Sequence, residues 1–499
     1  MNPEIILDKL IGFFSPKGEF QRTQYRNGVK ALYEAGQPRR NGGKMRPDNS
    51  SGDLLTLRAQ GNIRGYARQL SQNHDLAKAI LDTLVNNVVG SNGINVEPMP
   101  RRKNGELHTE FAAKLLDLWT DFKENPEVTW EHEWPECERL MCLAWMRDGE
   151  AFLQFLEGDI IGLDHGTKVP LSVEMIEADY LPFWFRDAGL GIEQSIERNG
   201  WGKARAYHVL KNHPQDVSYS SGYTDMRRIP AEKMAHLKLT QRFRQSRGVS
   251  VFATIMSRLE DIKDYEESER IAARVAAAMC AFIKRGNPDD YDPTNNKEDR
   301  EFKLAPGMIF NNLAAGEDIG MINSNRPNPE LGNFRNTQLK AACAGAGVNY
   351  PSVSKDFSGT YIGLRLSVVD ADANYSTLTN IFIGKTTKKV YKKFVKMAVL
   401  SGQLVIPSDL DINTLDKAEY YGPKMPSVDP LKEGRANIEA EAAGHRSPQQ
   451  TIRANGGNPD AVYEQIKTWQ KRAEGDGIMF STFKSDNPQP TSYSAETSG

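Results

Sequence analysis

The sequence predicts an α+β protein of more than one domain, and three observations carry that reading. Residues 151–240 hold short apolar runs separated by turn residues. Two stretches, 250–284 and 366–401, carry long helical periodicity. Between the first of these and a short helix at 332–346 lies a segment rich in Asp, Asn and Pro with short β runs. At about 100–200 residues per domain, 499 residues suggest two to four domains.

Composition narrows the function. Hydrophobic residues make up 39% and charged residues 26%, which excludes a disordered chain. Lys plus Arg number 63 against 65 Asp plus Glu, a formal net charge of −2. A protein that grips DNA by neutralising phosphates is expected to be basic, so tight groove binding is not expected. The four cysteines, Cys137, Cys142, Cys280 and Cys343, are too few for a disulfide scaffold and fit a reducing cytoplasm. Cys137 and Cys142 have no second pair to complete a zinc site. No apolar run approaches the roughly 18 residues of a membrane span. The opening residues, with no basic stretch before an apolar core, predict no secretory signal.

Taken in order, residues 20–70 hold ten Lys/Arg and three acids, and 37–52 are rich in Pro, Gly, Asn and Ser. This reads as an exposed basic arm, either solvated, in a subunit contact, or facing nucleic acid or an acidic partner. From Asp53 to Val89 the apolar spacing predicts a helix, ended by Gly90-Ser-Asn-Gly93. Ile94 and Val96 alternate as a strand. Helices follow at Phe111–Phe122 and Trp134–Arg147. Ala151-Phe-Leu-Gln-Phe-Leu, Leu171-Ser-Val-Glu-Met-Ile and Ala204-Arg-Ala-Tyr-His-Val-Leu are strands. The stretch 250–284, free of Pro and Gly, predicts a helix of about 50 Å. Met308-Ile-Phe and Ile319-Gly-Met-Ile read as β, and Gly347 to Gly363 as a loop rich in Gly, Ser and Tyr. The helical region 366–401 carries Lys385, Lys389, Lys392, Lys393 and Lys396 on one face and Val390, Phe394 and Ala398 on another. Shorter helices are expected at Asp429–Gly444 and Pro459–Arg472, then a disordered tail. The long helices offer too little apolar surface for a monomer, so a closed homo-oligomer is expected.

Motifs for catalysis fall short. Gly384-Lys385-Thr386 lacks the earlier glycine of a phosphate loop, position 379 being Thr, and sits in a helical pattern. Gly345-Ala-Gly347 has Tyr350 where a dinucleotide turn needs glycine. Asp290, Asp292, Thr294, Asn296 and Glu301 fit a calcium-loop register, but Asn295 stands where that loop turns on glycine. His132-Glu133 has no second histidine at metalloprotease spacing. Trp119, Trp130, Trp134 and Trp145 suggest packing of a helical subdomain rather than a platform for bases. No catalytic residue, cofactor or metal site is expected.

Three stretches together resemble the portal proteins of lambda-like tailed bacteriophages. The first runs from Leu57-Arg58 through Arg64-Gly-Tyr-Ala-Arg68-Gln-Leu, Gln72-Asn73, Ala77 and Ile80-Leu-Asp82 to Asn86-Asn-Val-Val-Gly90-Ser-Asn-Gly-Ile94. The second is Arg247-Gly-Val-Ser, Leu259, Tyr265-Glu and Ala281-Phe-Ile. The third is Pro306-Gly-Met, Gly316-Glu-Asp318, Arg326-Pro, Phe334, Gln338-Leu, Gly345, Gly347-Val, Tyr350 and Asp356-Phe-Ser358. Asp429-Pro-Leu-Lys-Glu433 before a helix also fits. After Ser358 the family usually shows Asn-Tyr, where this chain has Thr360-Tyr361 and then Arg365.

The resemblance implies a portal fold and a division of the chain. Residues 1–249 become an N-terminal arm and wing, 250–285 a stem helix, 286–330 the clip and 331–346 a second stem helix. Residues 347–364 become a channel loop, 365–427 a long helix with the rest of the wing, 428–475 a helical crown and 476–499 a disordered tail. It implies a homododecameric ring at the unique capsid vertex of the virion, assembled in the host cytoplasm. Double-stranded DNA passes through it non-specifically, driven by the terminase large subunit and later ejected. Other partners implied are a head–tail connector, the major capsid protein and scaffold, with no membrane. Tyr350, Ser352, Ser354, Lys355, Ser358, Thr360 and Tyr361 are expected to line the channel, and Asp289, Asp290 and Asp292 to bind partners at the clip. The alternative is another head-shell component, or a packaging-associated nuclease or NTPase.

Overall fold

The computed structural model describes residues 50–216, 225–277, 281–285, 317–321, 330–424, 429–455 and 457–476. The arm before residue 50, Asp289, Asp290, Asp292, the calcium-register residues, Met308-Ile-Phe and the tail from 477 lie outside them. Helices and antiparallel sheets mix as the α+β expectation requires. The chain divides into two compact units, each assembled from separated segments.

The first unit comprises Met1–Asn86, Arg139–Leu156 and Ser172–Thr386. Helix α1 (Gly52–Asn73) is capped by Ser51, whose hydroxyl accepts the Leu54 N–H at 3.2 Å. The helix expected over 53–89 is broken at His74, which is extended (φ −131°, ψ 113°), and α2 (Asp75–Val88) restarts beyond it. The break is held from outside: His74 Nε2 lies 2.9 Å from the Leu259 carbonyl, and Lys263 donates to the Asn73 carbonyl at 2.9 Å. These tertiary bonds replace what a continuous helix would supply.

The β-rich region folds as expected. After β1 (Asn95–Pro98), α3 (Thr109–Glu124) and α4 (Trp134–Asp148) come β2 (Glu150–Glu157) and β3 (Leu171–Ile176). A meander follows: β4 (Ile192–Glu193), β5 (Ile196–Arg198), β6 (Ala204–Leu210) and β7 (Met226–Pro230) form one antiparallel sheet in that order. Strand β8 (Met234–Lys238) pairs antiparallel with β2, Glu150 facing Lys238, in a three-stranded sheet. Phe152, Ile176, Leu181, Ile196, Tyr207, Val209, Ile229 and Met234 form the core.

The helix expected over 250–284 is shorter. A 3-10 turn, Val251–Thr254, precedes α5 (Met256–Ala277), and Ala281–Arg285 is strand β9, paired antiparallel with β10 (Glu317–Met321). At about 1.5 Å per residue α5 spans roughly 33 Å rather than 50. Freedom from Pro and Gly permits a helix but does not impose one, and Phe282 and Ile283 find a cross-strand partner instead. Helix α6 (Leu331–Ala346) lies antiparallel to α5. Arg335 pairs with Glu266, Arg258 donates to Gln338 at 2.9 Å, and Phe334 meets Tyr265 edge-on at 4.9 Å. Next come a short helix, α7 (Tyr350–Ser354), and α8 (Tyr361–Lys385).

The second unit comprises Asn87–Glu138, Glu157–Leu171 and Thr387–Gly499. Its centre is aromatic. Trp119 stacks on Phe122 at 5.3 Å and meets Trp134, Tyr391 and Phe394 edge-on at 6.2, 5.5 and 5.1 Å. Tyr391 and Phe394 come from α9 (Thr387–Leu400), which Thr386 separates from α8. Strand β11 (Ala418–Tyr421) pairs antiparallel with β1. The helices α10 (Pro430–Ala442), α11 (Pro448–Ala454) and α12 (Pro459–Gly475) follow, and α11 was not expected. Arg453 of α11 grips Glu97 of β1 with two bonds of 2.9 and 3.0 Å. Trp119 and Trp134 are packing residues; Trp130 is 48% exposed.

Candidate functional site

The segment 347–364 is more ordered than its composition suggests. Gly347 ends α6 in the left-handed conformation (φ 68°), and a Cβ there would sit 2.5 Å from Asn374 Nδ2. That amide donates to the Gly347 carbonyl at 2.8 Å, so glycine is required both for φ and for space. The Asn349 N–H donates to the Tyr375 hydroxyl at 3.2 Å. Tyr350, Ser352 and Ser354 lie on α7, and Lys355 caps its end at φ 56°.

The hydroxyls of Ser354, Ser358 and Thr360, expected to face a passing phosphate, are engaged within the segment. Ser354 Oγ donates to the Tyr350 carbonyl at 2.9 Å and accepts the Asp356 N–H at 3.2 Å. The Ser358 hydroxyl and N–H both donate to Asp356 Oδ1, at 2.6 and 3.1 Å, and hold that carboxyl below its usual range. Thr360 caps α8 by accepting the Gly363 N–H at 3.2 Å, so Tyr361 begins a helix rather than closing a loop. Lys340 lies 5.2 Å from the Tyr350 ring centroid. The exposed side chains here are Lys355, Phe357, Ser358, Thr360, Tyr361 and Ile362. Of these, Phe357 and Ile362 were not expected.

Sequence reasoning also missed a buried ionic lattice in the same unit. Arg247 and Glu150 are both fully buried. Arg247 Nε lies 2.9 Å from each Glu150 oxygen, and its terminal nitrogens donate to the carbonyls of Leu181, Gln194 and Ala178 at 2.9, 3.1 and 3.2 Å. Arg64 bridges Glu150 and Asp179 at 3.0 and 3.1 Å. Arg68 binds Asp148 at 2.8 Å and Asp179 at 2.5 Å. Both Arg247 and Arg64 lie over the Phe183 ring, 4.3 and 5.0 Å from its centroid. Burial alone would raise the Glu150 carboxyl; Arg247 and His236 outweigh it and hold it far below the usual range. His236 donates to Glu150 across 3.1 Å as a neutral ring, because burial lowers its pKa to about 4. The Gly248 N–H adds a bond to Glu150 at 3.1 Å, and a Cβ on Gly248 would overlap the Gly149 carbonyl oxygen. A signal was present: Arg64, Arg68 and Arg247-Gly are the residues that carry the resemblance, and charges set beside Ile63 and Ala67 on an apolar helix face must be buried with partners.

The second unit holds a fully buried carboxyl with no arginine on it among the described residues. Glu138 is fully buried, accepts the Ile94 N–H at 2.7 Å and pairs with the Thr387 hydroxyl. Burial raises its pKa to about 7.

No arrangement among the described residues supports catalysis. Gly384-Lys385-Thr386 closes α8 instead of following a strand. Glu177, Asp179 and His213 can bring ligand atoms within 4.8 Å of one another, but Arg68 and Arg64 already neutralise the two carboxylates. Buried guanidinium lattices and a self-bonded segment between helices fix shape. The chain belongs to the lambda family of phage portal proteins: the family described as "Phage portal protein, lambda family" matches residues 37–378. It is similar to the "Probable portal protein" of Halomonas phage phiHAP-1, 22% identical over 448 residues, covering 87% of this chain and 84% of that one. Two solved structures are similar at low identity. One is a chain in the neck of an empty gene transfer agent particle (12% identity, TM-score 0.46, 84% of this chain and 98% of that one). The other is in the virion of a native gene transfer agent particle (13%, TM-score 0.45, 84% and 97%). Family membership makes the protein a non-enzymatic component of the portal vertex of a virion.

Proposed function

We propose that twelve copies of this chain close into a ring through which the terminase large subunit drives double-stranded DNA and through which the DNA later leaves. The observation that carries this reading is an apolar row on α8. Ile362, Leu366 and Val369, spaced i, i+4, i+7, are 77, 68 and 58% exposed. A monomer would leave that row in water; a neighbouring copy in a ring covers it. The antiparallel α5–α6 pair, leading to and from β9 and β10, supports the assignment of 256–277 and 331–346 as stem. On this reading Asp289, Asp290 and Asp292 in the clip dock terminase and the head–tail connector. The major capsid protein and scaffold hold the ring at the vertex during assembly in the host cytoplasm.

Tyr350, Ser352, Ser354, Lys355, Ser358, Thr360 and Tyr361 line the channel. Because Ser354, Ser358 and Thr360 spend their hydrogen bonds within the segment, they offer DNA a surface that contacts without holding. Electron microscopy of the purified protein tests the ring: particles with a central hole are expected, and Leu366→Asp should leave monomers. Deleting residues 355–360 should spare the ring and impair DNA translocation. Monomers in the parent protein at all concentrations would refute the proposal.

A further inference from the structure

Helix α9 is amphipathic in an extreme way. Val390, Tyr391, Phe394, Val395, Met397 and Ala398 are buried in the second unit, so the helix is rigidly mounted. Every position from 388 to 398 that is not buried is a lysine: Lys388, Lys389, Lys392, Lys393 and Lys396. The helix contains no acidic residue. Lys392 pairs with Asp416 at 3.0 Å and Lys393 with Glu157 at 2.6 Å. Lys388 and Lys396 have no carboxylate partner among the described residues. Lys388, Lys392 and Lys396 are the exposed members, one turn apart. Lys385, which periodicity placed on the same face, belongs to α8 beyond the Thr386 break.

We infer that this stripe is a second DNA contact, separate from the 347–364 segment, that binds the phosphate backbone without reading sequence. The inference rests on the portal reading for its ligand. At about 1.5 Å per residue the stripe is roughly 12 Å long. Duplex DNA presents about one negative charge per 1.7 Å of axis over both strands, so a length of axis equal to the row carries on the order of seven phosphates. The chemistry favours a polyanion over a protein surface. Protein interfaces are anchored by aromatic or aliphatic side chains set in pockets; from 388 to 398 all such side chains are buried, and the exposed Leu400 stands at the last residue of the helix, beyond the lysine row. The chain as a whole is near neutral. The attraction is therefore local, labile to salt, and multiplied by repetition around a ring.

The test is binding of the full-length oligomer to a fluorescent mixed-sequence duplex, titrated at several salt concentrations. The triple variant Lys388→Gln, Lys392→Gln, Lys396→Gln should bind at least about tenfold more weakly at low salt, with a shallower dependence on salt. A control that removes equal charge elsewhere, Lys103→Gln, Lys203→Gln, Lys233→Gln, should bind like the parent. Unchanged affinity and salt dependence in the stripe variant would overturn the inference, as would an equal loss in the control. So would lost incorporation into capsids with DNA affinity intact, which would assign the stripe to an acidic protein. Microscopy of the same samples separates this from the ring proposal: a parent without rings refutes the ring alone, while the difference between variants in DNA binding still decides the stripe.

Discussion

In the unit that carries α5 and α6, a fully buried arginine, Arg247, sits in a lattice of charges. In the other unit the same place is taken by Trp119 among four further aromatic rings. One interior is specified by hydrogen-bond geometry, the other by shape. A buried ion pair adds little net stability over well-packed apolar residues, yet punishes the loss of one partner, because the survivor is left charged and dry. An aromatic cluster loses area and gains a cavity in proportion to what is removed. The lattice ties α1, β2, β8 and the chain entering α5 to one point, so it fixes where α5 begins. The aromatic cluster fixes only how α3, α4 and α9 pack.

The largest effect should come from Arg247→Ala, at about 5 kcal/mol in denaturant titration, since Glu150 and three carbonyls lose their partner together. The paired change Arg247→Met, Glu150→Leu should recover only part of that loss, because Arg64, His236 and the Gly248 N–H lose Glu150 as a partner. A double variant as weak as Arg247→Ala would show that geometry, not the stranded charge, is what the lattice supplies. Trp119→Ala should cost about 3–4 kcal/mol, and no second substitution should rescue it as the paired change does in the lattice.

Acidification should divide the two units. Glu138 has a folded pKa of about 7, above its unfolded value near 4.5, so the folded state binds the extra proton between those limits. Stability from this group falls as pH rises through that window and recovers on acidification, by roughly 3 kcal/mol over its whole span. His236, lowered to about 4 from 6.5, behaves oppositely: stability is lost as pH falls from 6.5 toward 4. Hydrogen exchange at pH 7 and pH 5 should therefore show protection rising around Ile94 and α4's first turn and falling around β2 and β8. Glu138→Gln should flatten the first response alone. The smallest effect should be Arg453→Ala, about 1 kcal/mol, because this pair is partly exposed; exchange should quicken in α11 and not in α3.

Much of this architecture is legible in the residues. Leu171–Ile176 and Ala204–Leu210 coincide with strands, and Trp134 opens α4 as its spacing predicts. Legibility fails where distant partners decide. Nothing local in Ala281-Phe-Ile-Lys-Arg distinguishes a helix end from a strand; the pairing with Glu317–Met321 does. His74 reads as one more helical position until Leu259 and Lys263 pull the chain out of register. Ser354 and Ser358 look like free hydroxyls because their acceptors, a backbone carbonyl and Asp356, depend on the turn that Lys355 makes. The lattice was visible only as recurring arginines, since a sequence names charges without saying which are dry.

The aromatic centre of the second unit also sets a schedule for synthesis. Trp119 is made early, whereas Tyr391 and Phe394 lie far along the chain. At about 5–20 residues per second, on the order of tens of seconds pass on the ribosome before its partners emerge. Through that interval α3 must keep Phe111, Trp119 and Phe122 from adhesive encounters with other nascent chains. The first unit can complete its lattice once Arg247 has appeared. Newly made subunits should therefore pass through a half-built state in which the charged interior is closed and the aromatic one is open, and a chaperone that holds exposed aromatic surface should find its substrate there.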